Sequence, residues 1–345
     1  MGYFALLVPN TALAKEASKS WWDQGFAYAW DTIGTYGLCV PLIVLLAWLG
    51  LQARQHRRAG RREVSWLLVL PVVAGLLHML FVVKVGGDYM HGRLMLPGIF
   101  AILMPVATVP VSRNRTVPAL AAALIFGWAS VCAAGLRTPY AETNLITDRG
   151  LADDRGHYRL FSGQEHPVTL DDYAATPLVQ AGRDAARRAR ADEEVLILSR
   201  PPARELPPRR RLRTYPVLVH GNMGMLGYSA GVDVRVVDEL GLGDPVASRL
   251  DLPRRGRVGH EKDIDRAWTI ARFSDAGLLP PDLAANAQVG HAGRALECGV
   301  LREILAAVSS PMSPRRFLDN LALAPRATSA RVDPTPERAA AEMCD

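Results

Sequence analysis

Four apolar runs follow one another between Thr32 and Gly135: roughly Thr32–Leu51, Val64–Val83, Leu94–Val111 and Val117–Gly135. Each approaches the length of about 20 residues that a helix needs to cross a bilayer core. No other feature narrows the fold as much. One such run is compatible with the core of a soluble protein; four in succession predict a helical membrane domain. The second run has only His78 as an ionisable interruption, and the first and fourth hold Cys39 and Cys132, which read as small buried hydrophobes. The third is the shortest, and its ends are the least defined.

Arginine sets the expected orientation. The link Ala53–Glu63 carries Arg54, Arg57, Arg58, Arg61 and Arg62, and the link Ser112–Thr116 carries Arg113 and Arg115. In a four-helix zigzag these links share a side, which the positive-inside rule makes cytoplasmic. The first 31 residues, the link between the second and third runs, and everything after Gly135 then face outward. The net charge of +6 reflects this arginine bias and does not argue for a nucleic-acid partner. Long translocated domains escape the rule, so a basic C-terminal part is no contradiction.

The fold class that follows is a multi-pass α-helical membrane domain of about four spans, residues 32–136, followed by an extracytoplasmic α/β domain, residues 137–324. Residues 1–31 are expected to form an interfacial helix on the outer face. From Ala12 onward this segment has amphipathic spacing, with Trp21, Trp22, Tyr28 and Trp30 suited to the membrane interface. It is not a signal peptide: no basic stretch precedes "TALAK", and Phe4–Val8 is too short an apolar core.

After Gly135 the pattern is that of a globular α/β layer. "EEVLILSR" reads as a strand over Val195–Leu198, and "YPVLVHGNMGMLGYSAG" as a strand, a glycine-rich turn and a short helix. "VDVRVVDELGLGD" reads as a strand ending at Asp238, and "PPARELPPRRRLR" as a solvated basic loop between strands. "AGRALECGVLREILAAVSS" places Leu296, Val300, Ile304 and Leu305 on one helical face. Ser313-Pro314 is a helix start. The tail 325–345, rich in Ala, Arg, Pro, Thr and Glu, is expected to be disordered. Cys298 and Cys344 lie on the side where disulfides persist, and either pair there or stay free.

Chemistry concentrates in the outward link "KVGGDYMHGRLMLP", Lys84–Pro97. Its glycines suit a tight turn, and Lys84 and Arg93 can snorkel to the interface. Asp88, Tyr89 and His91 are ionisable or polar groups at the mouth of membrane helices, where such residues mark function candidates. "GHEKD", Gly259–Asp263, is a second charged cluster. It is not a zinc helix, because Ile264 stands where HExxH needs histidine, and no other metal-ligand spacing is present. "HGNMGMLGY" is not a dinucleotide fingerprint, and neither GxSxG nor a Walker sequence occurs.

The segments "LLVPNTALAKEAS", "GGDYMHGRLMLP", "HGNMGMLGY", "VVDELGLGDPVASRL" and "RRGRVGHEK", in this order, resemble the C-terminal half of the terminal β-(1→2)-arabinofuranosyltransferase family of mycobacteria and other actinobacteria, within the GT-C superfamily. The resemblance runs from the first residues to about Leu323. It implies transfer of arabinofuranose from decaprenyl-phosphate-arabinose to cell-wall arabinan on the outer face of the plasma membrane, with membrane lipid as the surrounding partner. It places Lys15 on the lipid phosphate and Asn10 on the donor or its loop. Asp88, Tyr89, His91 and Arg93 fall to sugar and phosphate binding, and His260, Glu261 and Lys262 to the acceptor side. Asp238 and Glu239 are further candidates, or caps of the following segment. Family members begin with additional membrane helices, and their catalytic acid lies in the first outer loop there. The chain is therefore expected to be a C-terminal part whose catalytic base lies outside it, with no certain cofactor and a divalent metal left open. Two other readings stay beside this one: a GT-C transferase of another sugar such as mannose, and an inert membrane-anchored glycan-binding or assembly module.

Overall fold

The computed structural model describes residues 1–105, 116–135, 145–209 and 216–345. It divides into two compact units, Lys19–His157 and a larger one made of Met1–Ser18 with Tyr158–Asp345. The N-terminal segment thus does not form one interfacial helix over residues 1–31. It makes a short helix, α1 (Asn10–Ala14), and then turns at Glu16, whose φ is 48°. Burial explains the break: Ala5, Leu6, Leu13 and Ala14 are core residues of the larger unit. The Asn320 side-chain amide donates to the Gly2 carbonyl at 2.7 Å, and the Leu7 amide donates to the Thr328 hydroxyl at 2.9 Å.

The smaller unit is helical. α2 (Trp22–Thr35) and α3 (Cys39–Arg58) meet at an 89° bend, with Gly37 at a φ of 55° between them. The first apolar run is therefore not one helix from Thr32; its regular part begins at Cys39. α4 (Arg62–Val85) is continuous through Pro71 and ends on Gly86 in the left-handed conformation that commonly closes helices. α5 (Leu96–Leu103) and α6 (Thr116–Gly135) follow. The end of the third run and the link carrying Arg113 and Arg115 lie outside the described residues. Among the described residues one helix, α4, is long and apolar enough to cross a membrane, and a second joins it if the bent pair counts as one span. The bend after Thr35 interrupts the first of the four runs.

α4 is the centre of this unit, packed on α2, α3 and α5. Glycines permit the close approaches: a Cβ on Gly75 would sit 2.5 Å from the Gly98 carbonyl oxygen, and one on Gly98 would sit 2.6 Å from Met79 Cγ. Small residues at such crossings are the usual means of packing helices in lipid. Trp66, Leu67, Leu70, Leu77, Leu80 and Phe81 remain exposed along α4, a large apolar surface that water does not favour.

In the larger unit, α7 (Asp154–Ser162), which begins in the other unit, and α8 (Pro177–Arg190) lead to a four-stranded sheet. The strands are β1 (Leu196–Leu198), β2 (Arg204–Leu206), β3 (Val217–His220) and β4 (Arg235–Asp238), in the order β2-β1-β3-β4. β1, β3 and β4 run parallel and β2 antiparallel. The alternation of side chains sends Leu218 to one face, against Ala185 of α8 and Leu226 and Ala230 of α9 (Gly224–Ala230). Leu196, Leu198, Val217, Val219 and Val237 go to the other. There they meet Trp268 and Phe273 of α10 (Arg266–Phe273) and, beyond the short α11 (Pro281–Ala284), Val289 and Leu296 of α12 (Ala287–Leu296).

Three sequence expectations are corrected here. The loop "PPARELPPRRRLR" contains β2, since Arg204–Leu206 can pair with Leu196–Leu198 on the free edge of β1; residues 210–215 lie outside the described residues. The long C-terminal helix is broken at Glu297–Cys298 into α12 and α13 (Gly299–Ser309), where Gly299 takes a φ of 48°. Leu301, in place of Val300, then joins Leu296 and Ile304 in the core. The tail expected to be disordered is helical: α14 (Pro314–Ser329), capped by the Ser313 side chain as foreseen, runs past Pro325, and α15 (Pro336–Cys344) follows. Its alanines are the packing residues, Ala324, Ala327, Ala339 and Ala340 all being buried. The Val332 amide and carbonyl pair with the backbone on either side of Leu250, and Cys298 is bonded to Cys344.

Candidate functional site

The predicted residues fall into two groups, one in each unit. In the helical unit, the turn after α4 folds back under Tyr28. Gly86 and Gly87 have φ of 98° and 73°, and any Cβ on Gly87 would enter the Tyr28 ring. The Tyr28 hydroxyl donates to the Met90 carbonyl at 3.1 Å and accepts from the Leu94 amide at 2.9 Å, so one buried phenol fixes both sides of the "GGDYMHGRL" turn. Asp88 is fully buried and pairs with the Arg93 guanidinium, which is 45% exposed. A buried carboxylate thereby aims a half-exposed cation. The same guanidinium lies over the Tyr89 ring, 5.7 Å from its centre. His91 Nδ1 meets the Asp31 carboxylate at 2.6 Å, and its Nε2 meets the Tyr36 hydroxyl at 3.1 Å. Asp31 and Tyr36 are absent from the sequence reading, which had no signal linking α2 to a turn so distant along the chain.

In the larger unit, Lys15 meets the "RRGRVGHEK" segment, and Asn10 meets Ser248 shortly before it. Arg257 to His260 form a tight turn with Gly259 at its third position and a φ of 81°, the sign a type II turn requires there. That turn sends Glu261 and Lys262 inward, 3% and 2% exposed. The Lys262 ammonium meets the Glu16 carboxylate at 2.6 Å and also donates to the Leu250 carbonyl. Arg255 donates to the Lys15 carbonyl at 2.8 Å and to Glu261 at 3.2 Å. Burial raises the Glu261 carboxyl above its ordinary range, the Arg255 charge opposing. The Ser248 hydroxyl reaches the Asn10 side-chain oxygen at 3.4 Å. Lys15 and His260 are half-buried beside this network. Sequence reasoning did not single out Glu16, Arg255 and Ser248, although all three lie inside the quoted segments.

Asp238 ends β4 and folds the next loop, accepting from the Leu240 amide at 2.9 Å and the Gly243 amide at 2.8 Å. Glu239 is 3% exposed, with Arg200 Nε 3.6 Å away, and burial raises its carboxyl. Neither caps a helix. At the end of β3, His220 Nδ1 accepts from the Asn222 amide at 2.8 Å, and burial followed by the Arg200 charge lowers its pKa. Among the described residues no group of three or more His, Cys, Asp or Glu side chains is arranged to hold a metal ion.

Residues 185–335 match the model of the AftB family C-terminal domain. The chain is 31% identical to the terminal beta-(1->2)-arabinofuranosyltransferase of Mycobacterium tuberculosis, over 97% of this chain and 60% of that protein. It is also 31% identical to the protein of the same name from Corynebacterium glutamicum, over 93% of this chain and 51% of that protein. The chain thus spans little more than half the length of these relatives. No solved structure matches it.

Proposed function

We propose, from the likeness of this chain to terminal arabinofuranosyltransferases and of residues 185–335 to the AftB family C-terminal domain, that it is the C-terminal part of a membrane glycosyltransferase. The reaction moves arabinofuranose from decaprenyl-phosphate-arabinose to cell-wall arabinan. The observation that carries this reading is an identity maintained over 97% of the chain, helical unit included. The helical unit sits in the plasma membrane as a multi-pass domain, and the α/β unit faces the extracytoplasmic side. The exposed apolar surface of α4, the arginines at the α3–α4 turn and the Cys298–Cys344 disulfide support that placement.

In the transfer an acceptor hydroxyl oxygen bonds to the anomeric carbon, the carbon–oxygen bond to phosphate breaks, and a base takes the hydroxyl proton. Decaprenyl phosphate leaves as an anion. Arg93, held by buried Asp88, is assigned in this reading to that developing charge, and Lys15 to the lipid phosphate. His91, held at both ring nitrogens by Asp31 and Tyr36, and Tyr89 orient the sugar. The Lys262–Glu16 and Arg255–Glu261 pairs hold the segment that presents Asn10 and Lys15, leaving half-buried His260 as the acceptor-side residue of the three. No residue of this chain is assigned as the base.

Membranes expressing the enzyme with this C-terminal part are to be given labelled decaprenyl-phosphate-arabinose and an arabinan acceptor, with a mannosyl donor in parallel. Arabinose transfer that falls at least about a hundredfold in Arg93→Gln, in line with loss of one charge-stabilising donor, supports the reading. Preferential mannose transfer would overturn the sugar assignment. Arabinan binding without any transfer would make the protein a glycan-binding module.

A further inference from the structure

A cavity of about 650 Å³ lies within the larger unit, along the outer edge of β4. One wall is the N-terminal segment, with Phe4, Leu6, Leu7 and Val8; Met223 and Val308 extend it. The opposite wall is ionic. There Arg272 and Asp244 pair at 2.5 Å, and the second Asp244 oxygen accepts from the Val246 and Ala247 amides, each at 2.9 Å. Both Asp238 oxygens are likewise engaged by backbone amides. Arg249 is fully buried and donates to the Ala327 and Pro245 carbonyls.

Arg235 differs from all of these. It opens β4, lines the cavity and lies over the Phe273 ring at 5.3 Å. Among the described residues its guanidinium has neither a hydrogen bond nor an ion pair. Burial, and then the neighbouring Arg272 charge, lower its pKa, so the present surroundings disfavour its positive form. A half-buried guanidinium with five donors and no acceptor gains most from an anion that can take several of them. Three guanidinium groups (Arg235, Arg249, Arg272) face two carboxylates (Asp238, Asp244) across the lining, a balance of one positive charge. The two carboxylates are satisfied already.

We infer that this cavity binds an anionic amphiphile, its phosphate or comparable headgroup on Arg235 and its apolar chain against Phe4–Val8. A free sugar does not fit as well, because Asp238, Asp244, Arg249 and Arg272 are already engaged and Phe4, Leu6, Leu7 and Val8 make the facing wall apolar. Pro9 and Asn10 also line the cavity, so it borders the segment assigned above to the donor. Binding there rests on Arg235 and does not require the transfer reaction, and both walls belong to one unit.

The test uses the full chain in detergent micelles and dodecyl phosphate carrying a diazirine at the chain end, followed by mapping of the photo-adducts. Adducts are expected on the peptides holding Phe4–Val8, Met223 or Val308. Arg235→Gln should reduce them by about tenfold or more, the loss expected from one charge-assisted contact, while Arg235→Lys retains part of the signal. Val308→Trp, which narrows the cavity from the α13 side, should also reduce them and serves if the arginine variant does not fold. Unlabelled dodecyl phosphate should compete and dodecanol should not. If inorganic phosphate competes as well as dodecyl phosphate, the anion site stands and its source is free phosphate. Adducts confined to other peptides, equal competition by dodecanol, or labelling unchanged in both Arg235→Gln and Val308→Trp would overturn the assignment.

Discussion

The Lys262 ammonium and the Glu16 carboxylate are 2% and 8% exposed and pair at 2.6 Å, so each lowers the cost of burying the other's charge. Removing one partner leaves an uncompensated buried ion, a cost of about 3–5 kcal/mol, whereas replacing both with apolar residues can be nearly neutral. Glu16→Ala is therefore expected to lower stability by that amount in urea unfolding, and Glu16→Leu with Lys262→Met by much less. If the double variant were as damaging as the single one, the pair would have a role beyond its own charge balance. His220 gives a pH signature. Its folded pKa is lowered by burial and by Arg200, so the unfolded chain binds the proton more readily. Stability from this group is present above the unfolded value of about 6.5 and lost as pH falls below it. Unfolding midpoints should decline from about pH 6.5 downward, and His220→Asn should flatten that decline. Single residues such as Asp88 and Arg93 were legible because they are close in sequence and sit between apolar runs. Asp31 was not, since 60 residues separate it from His91 and only the packing of α2 brings them together.

Elements built on local pattern were read well. β3, the following turn and α9, and β4 ending at Asp238, follow from short apolar stretches punctuated by glycine. Those decided by tertiary partners were not: β2 exists because β1 offers an unpaired edge, and α15 exists because alanines fit against α12 where larger residues would not. The same dependence makes α15 sensitive to its tether. The disulfide closes a loop with a sequence separation of 46, for which chain entropy alone gives roughly 4 kcal/mol. Cys344→Ser should therefore lower the denaturant midpoint, and a reducing agent should lower the wild type to match it. In the helical unit the corresponding constraint is steric. Because Gly75 faces the Gly98 backbone, Gly75→Leu forces α4 and α5 apart. Overpacking of this kind costs about 1–3 kcal/mol or more, and it should appear as a lower melting temperature in detergent, with Gly50→Leu, which meets nothing, as the neutral control.

At the scale of the whole molecule, the sequence divides at a compositional boundary, but the fold divides elsewhere. Met1–Ser18 joins the α/β unit, and residues up to His157 join the helical one. Composition tracks the solvent a segment meets, whereas unit membership is decided by specific partners: Gly2 with Asn320, Glu16 with Lys262, Met90 with Ala152. The proposed sidedness rests chiefly on charge and can be measured by itself. The α3–α4 turn carries five arginines, which resist translocation, and Ser310 lies in the unit that holds the disulfide. With Cys39 and Cys132 replaced by serine, Ala59→Cys and Ser310→Cys place exposed thiols on these two segments. A membrane-impermeant maleimide applied to intact cells should label the Ser310→Cys variant at once, and the Ala59→Cys variant only after permeabilisation. The reverse result would put the arginine turn outside and the disulfide in the reducing compartment. It would also remove Lys15, in the same unit as Ser310, from any reaction on the outer face. The proposed transfer to a wall polymer requires that face, so the labelling experiment tests the compartment of the proposed chemistry without requiring the chemistry itself.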